Sequence, residues 1–234
     1  MIPDSASFPV CLTLLAGLFL SFFLFCLLGP LFYKKRNGES YSYLSHFPFE
    51  LFDGKEDARN NLLRVFGGGF LLFDLLSALL LLDAFFFYPH GVFYLALLAS
   101  FLHLSRVVLL FFLLILPARY NKAHVMVVAL YFVLASLSSA IEGIFLIRYS
   151  SGYGPSFAMA FALIGISIAF LFLMANPRFS QWAKLASEKD QSGEVIVKRP
   201  RFFLLAYSEW LGILFDVLSS LSLILAFLLL YLRK

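Results

Sequence analysis

Apolar residues along this chain fall into six long runs, each separated from the next by a short polar stretch. The runs cover about residues 8–33, 62–88, 92–117, 124–147, 154–176 and 203–232. An α-helix needs roughly 20 apolar residues to cross the ~30 Å hydrocarbon core of a bilayer. Each run is long enough. The pattern therefore predicts an all-α, polytopic helical membrane protein with six transmembrane helices in one bundle, residues 1–234 forming a single membrane domain. Residues 1–10 carry only Asp4 as a charge. A cleaved signal peptide has a basic n-region and a shorter apolar core, so the first run is expected to stay in the mature chain.

The polar stretches set an expected orientation. Lys and Arg concentrate on cytosolic loops. Loops 34–61, 118–123 and 178–202, with their immediate edges, hold fourteen basic residues, and the other side holds Arg148, Arg233 and Lys234. This bias predicts cytosolic loops at those three positions and non-cytosolic N- and C-termini.

Several interruptions have two readings. Ser45 to Phe52 mixes aromatics with polar groups, and Pro48 argues against a continuous helix there. It reads as an interfacial segment at headgroup level, or as a re-entrant segment with His46 and Glu50 as titratable groups. Gly67-Gly68-Gly69 lies near one end of the second run, where small residues allow close helix approach. The alternative is a local break that contacts an anionic lipid headgroup, with Arg64 beside it. Ala158, Ala162, Gly165 and Ala169 fall on one face of the fifth run and predict a docking seam for another copy or a membrane partner. Phe179, Trp182 and Leu185 share a face of a short amphipathic helix at the interface. Lys198, Arg199 and Arg201 follow as a basic cluster suited to lipid contact.

Composition agrees with the pattern. The chain is 62% hydrophobic and 14% charged, with mean hydropathy +0.90, against about 45–50% and 25% in soluble domains. The net charge of +4 comes from membrane-flanking residues and implies a lipid bilayer, not nucleic acid, as partner. Cys11 and Cys26 lack zinc or redox spacing and read as buried free thiols. His46, His90, His103 and His124 are dispersed, and no GxSxG or HExxH motif occurs. The sequence therefore names no metal, no cofactor and no catalytic residue, and it leans away from an enzyme.

The candidate chemistry lies in ionisable residues within the apolar runs. Each costs roughly 2.5–3.5 kcal/mol at the bilayer centre on insertion scales, and such residues generally face the bundle interior with partners. At 1.5 Å per residue, Asp74, Arg106 and Asp216 fall ~15–21 Å from the basic side, near the midplane, with His103 slightly beyond. Asp83 and Glu142 fall ~27–28 Å away, at an outer mouth, and Glu209 falls at an inner mouth. Leu72-Phe73-Asp74 and Leu214-Phe215-Asp216 are near copies, each followed by a matched serine, Ser77 and Ser219. Two acids and one arginine leave surplus negative charge in a poor dielectric. A proton on an Asp, a proton on His103 or a bound cation would remove it.

Two function classes follow. One is a small transporter or channel-like protein with Asp74, Arg106, Asp216 and His103 on the pathway of a proton, cation or substrate. The other is a non-catalytic subunit or assembly factor of a larger membrane complex, in which the charges fix helix register and the small-residue seam docks the partner.

Overall fold

The computed structural model describes residues 7–52, 58–87, 92–116, 121–150, 153–175, 187–189, 195–197 and 201–232. Six helices dominate it: α1 Ser7–Asn37, α2 Ala58–Phe87, α3 Phe93–Ile115, α4 Asn121–Tyr149, α5 Gly154–Met174 and α6 Leu204–Leu232. Among the described residues these six are long and apolar enough to cross a membrane, so the chain is a multi-pass helical membrane protein.

Cross-helix contacts fix the directions. Phe22 meets Phe70 while Gly17 faces Phe73, so α1 and α2 are antiparallel. Asp74 lies by Arg106 and Ser77 by His103, which makes α2 and α3 antiparallel. The same reversal holds for α3 with α4, α4 with α5, and α5 with α6. Helices α2, α4 and α6 therefore run parallel. Helix α6 packs between α1 and α5 and also touches α2 and α4. Of its apolar window 61% is buried, against 22% for α5, so α6 is the axis of the bundle.

Glycine and serine allow the close approaches. A Cβ on Gly67 would meet the Phe52 ring at 2.5 Å, and one on Gly69 would meet Ser21 Cβ at 3.3 Å. Gly68 has open space instead. Two of the three glycines therefore serve packing. Ser136 donates to the Ser167 carbonyl at 3.0 Å, and Ser156 donates to the Ala226 carbonyl at 3.1 Å. These tie α5 to α4 and α6 within the buried interior. The inward face of α5 is Ser156, Ala160, Leu163, Ser167 and Phe170. Ala158, Ala162 and Gly165 lie on its exposed face, with Ala169 half-buried.

The loop after α1 folds back onto the bundle. Residues 45–51 are buried against the bundle end at which α2, α4 and α6 begin. Pro48 opens a short 3-10 helix, Pro48–Leu51, where its missing N–H is no loss. Glu50 accepts the Phe47 N–H at 2.9 Å, closing half a capping box. Trp210 Nε1 donates to Tyr41 Oη at 3.1 Å and to the His46 carbonyl at 3.0 Å, and Phe203 N–H donates to the Leu44 carbonyl at 2.7 Å. The loop is thus stitched onto α6. In the later loop, β1 Ser187–Lys189 pairs antiparallel with β2 Val195–Val197. The apolar pattern does not predict this hairpin, although Val195-Ile196-Val197 is a β-branched run. The amphipathic helix expected at Phe179, Trp182 and Leu185 lies outside the described residues, as do Lys198 and Arg199.

Candidate functional site

Helix α3 crosses the bundle with His103 and Arg106 one turn apart, both fully buried. Around them gather Asp74 from α2, Glu142 from α4 and Asp216 from α6, each no more than 1% exposed. Four separate helices thus contribute one ionisable side chain or more to one layer.

Arg106 is the hub. Its Nε lies 2.7 Å from Asp216 Oδ1, an ion contact off the line of a good hydrogen bond. Its Nη2 donates to Ser220 Oγ at 2.5 Å and faces Asp74 Oδ1 at 3.4 Å, while Ser220 Oγ donates to Asp74. Its Nη1 donates to Ser219 Oγ at 3.2 Å and lies 3.5 Å from Glu142 Oε1. Guanidinium donors point in several directions in one plane, which suits one cation serving three acids. Serines on α6 fill the gaps: Ser219 also pairs with Ser139 at 2.9 Å and donates to Glu142 Oε2 at 3.4 Å.

His103 has acceptors on both sides of its ring. Nδ1 lies 2.9 Å from Glu142 Oε1. Nε2 lies 3.0 Å from the Asp74 carbonyl, 3.0 Å from Ser77 Oγ and 3.4 Å from Asp74 Oδ1. The Ser77 hydrogen is committed to the Asp74 carbonyl at 2.7 Å, so Nε2 faces lone pairs. Two ring nitrogens each facing acceptors match the donor pattern of an imidazolium.

Glu142 corrects the layering expected from sequence. It lies not at a separate outer mouth but in contact with His103 and Arg106. Side chains lean toward the N-terminus of their own helix. Helices α3 and α4 are antiparallel, so Arg106 and Glu142 lean toward each other and close the gap that counting Cα rises leaves between them. Glu209 stands apart, near the start of α6, where Oε1 pairs with His124 Nε2 at 2.8 Å. His124 Nδ1 donates to the Leu116 carbonyl at 2.9 Å, and the rings of Phe47 and Phe49 cover it edge-on at 5.6 and 5.5 Å. In the sequence His124 is one of four dispersed histidines. The available signal was position: His124 and Glu209 both sit in the first two turns of parallel helices. The side chain of Asp83 lies outside the described residues. Arg64 and Arg201 are exposed and take no part in the layer.

The charge count follows from the geometry. With all three carboxylates ionised and His103 doubly protonated, the layer would carry one surplus negative charge away from solvent. The gap is local: neither Asp216 oxygen makes a well-aligned hydrogen bond among the described residues, although the Tyr131 hydroxyl is within reach. Tyr131 stands beside it, its hydroxyl donating to the Gly212 carbonyl at 3.2 Å. Among the described residues no group of three or more His, Cys, Asp and Glu has the geometry to hold a metal ion. The chain matches no protein family, no curated protein and no solved structure.

Proposed function

We propose that this chain is a small transporter or channel-like protein whose buried layer binds a proton or a small cation at Asp216. The observation that carries the reading is the excess of three buried carboxylates over Arg106 and His103, with no well-aligned hydrogen bond to Asp216 among the described residues. An uncompensated buried charge is costly, and intramembrane ionisable residues mark ion pathways by default. In this reading Arg106 holds Asp74, Glu142 and Asp216 together, His103 links Asp74 to Glu142, and Asp216 exchanges the bound ion. The layer is closed on all sides, so passage requires α6 to shift against α2 and α4, exchanging one set of serine contacts for another. The His124–Glu209 pair under the 45–51 segment lies on the side the ion would meet first from the cytosol, given the orientation predicted by the basic loops.

The test is flux into vesicles reconstituted with the pure chain and loaded with a pH-sensitive dye, under imposed H+, Na+ or K+ gradients. The wild type is expected to dissipate at least one gradient faster than empty vesicles, and Asp74→Asn and Asp216→Asn to lose that flux while remaining folded. Wild-type vesicles no leakier than empty ones to all three ions would end the reading.

One observation favours a second role. Ala158, Ala162 and Gly165 lie on the exposed side of α5, with Ala169 half-buried beside them, and a Cβ on Gly165 would meet no described residue within 4 Å. A subunit or assembly factor would use that face to dock a partner helix or a second copy. Co-purification of a stoichiometric partner that is lost on Gly165→Leu would support it.

A further inference from the structure

A groove of about 350 Å³ runs between α2 and α3 at the end where α2 begins and α3 finishes. Its walls are Phe52, Leu71, Phe111, Leu114 and Ile115. Phe111, Ile115 and Gly68 are exposed, so the groove opens on the lipid-facing side of the bundle. Among the described residues Arg64 is the one charged residue lining it, three residues inside the start of the second membrane span. That places the guanidinium where a long side chain reaches the headgroup level.

Gly67 and Gly68 form part of the groove but are not equivalent. The space beside Gly67 is taken by the chain's own Phe52 ring, whereas nothing among the described residues lies within 4 Å of a Cβ on Gly68. Packing of this chain explains the first glycine and leaves the second unexplained. An occupant from outside explains it.

We propose that the groove binds an anionic phospholipid, with one acyl chain lying over Gly68 between α2 and α3 and the phosphate held by Arg64. The apolar walls and lipid-side opening select an acyl chain. Arg64 selects the charge, since a guanidinium matches phosphate in a bidentate fork. Lys34 and Lys35 at the end of α1 and Arg201 before α6 are exposed at the same end of the bundle, so this end draws anionic lipid toward itself. A zwitterionic lipid fits the walls equally but brings its own amine to the phosphate. The site is independent of the charge layer and of what that layer does.

The experiment is native mass spectrometry of the full chain in mild detergent, titrated with phosphatidylglycerol or with phosphatidylcholine of the same acyl chains. Phosphatidylglycerol is expected to bind about five-fold more tightly, the weight of one basic side chain at an anionic lipid surface. Arg64→Gln should erase that preference. Gly68→Leu, which places a side chain in the open space, should weaken both lipids with no change in melting measured without added lipid. Equal binding of the two lipids to the wild type, or Arg64→Gln binding phosphatidylglycerol as the wild type does, overturns the proposal. Should Gly68→Leu lose its fold, the lipid comparison and the exposed Arg64→Gln variant decide it alone.

Discussion

Replacing Arg106 with Met should damage this protein far more than replacing Asp216 with Asn. The substitutions break the same 2.7 Å contact, so a view that counts contacts would rank them together. The charge balance ranks them apart. Arg106→Met strands Asp74, Glu142 and Asp216, all buried, and takes the layer from one surplus negative charge to two. Removing one partner of a buried ion pair costs about 3–5 kcal/mol. Here three carboxylates lose the same partner, so the upper part of that range or outright loss of folding is expected. Asp216→Asn instead removes the surplus charge and retains an oxygen facing Arg106. It changes an oxygen that makes no well-aligned hydrogen bond among the described residues, and its net cost should stay near the ~1 kcal/mol of one ordinary hydrogen bond. For a chain of this size 1 kcal/mol moves Tm by about 2–4 °C. The two variants should therefore differ by roughly 6–12 °C or more, the contrast of ~3 kcal/mol taken at that rate. The assay is the fraction of monodisperse protein surviving a temperature series in mild detergent. Equal losses, or greater loss for Asp216→Asn, would refute the charge-balance reasoning.

Other outcomes follow from the packing. Gly67→Val should cost about 1–3 kcal/mol by overpacking against Phe52, while Gly68→Ala, in open space, should lie within about 0.5 kcal/mol of wild type in the same thermal assay. Trp210→Phe removes the donor shared by Tyr41 and the His46 carbonyl, so it should cost about 1–3 kcal/mol and raise hydrogen exchange across residues 41–51 before it does so in α6. Burial holds the Tyr41 and Tyr43 phenols protonated well above their ordinary range, with Glu50 adding to the effect on Tyr41 and Cys26 to that on Tyr43. The unfolded chain loses these protons from about pH 10, the folded chain later, so stability should fall as pH rises above about 10. An ultraviolet titration in which Tyr41→Phe and Tyr43→Phe leave the folded protein's phenolate signal unchanged near pH 10, but reduce that of the denatured chain, would bear this out. Cys11 is fully buried and should react with a membrane-permeant maleimide only after denaturation.

The six helices were legible because a bilayer demands length and apolarity, and both are written directly in sequence. Asp74, Arg106 and Asp216 were legible as partners for a related reason. Each stands out against leucine and phenylalanine, and depth along a helix can be counted. Glu142 was misplaced because counting follows Cα positions, whereas contact depends on which way side chains lean on antiparallel helices. His124 and Glu209 were missed because pairing depends on which helices are neighbours, and no local pattern states that α4 and α6 lie side by side. The buried 45–51 segment was hidden for the same reason: its aromatic residues suit a headgroup layer and a protein interior equally well. The role of Gly68 lies beyond sequence, since Gly67, Gly68 and Gly69 differ only in what stands opposite them.

A proton or cation bound in the layer of Asp74, His103, Arg106, Glu142 and Asp216 would offset the one acid it holds beyond its two bases. Infrared difference spectroscopy of the wild type against Asp216→Asn tests this directly, in buffer with and without Na+ and K+. The expected spectra show either a carboxylic-acid band in the wild type that vanishes in the variant, or a cation-dependent shift of a carboxylate band confined to the wild type. Spectra in which every buried carboxylate is ionised and indifferent to both cations would contradict it.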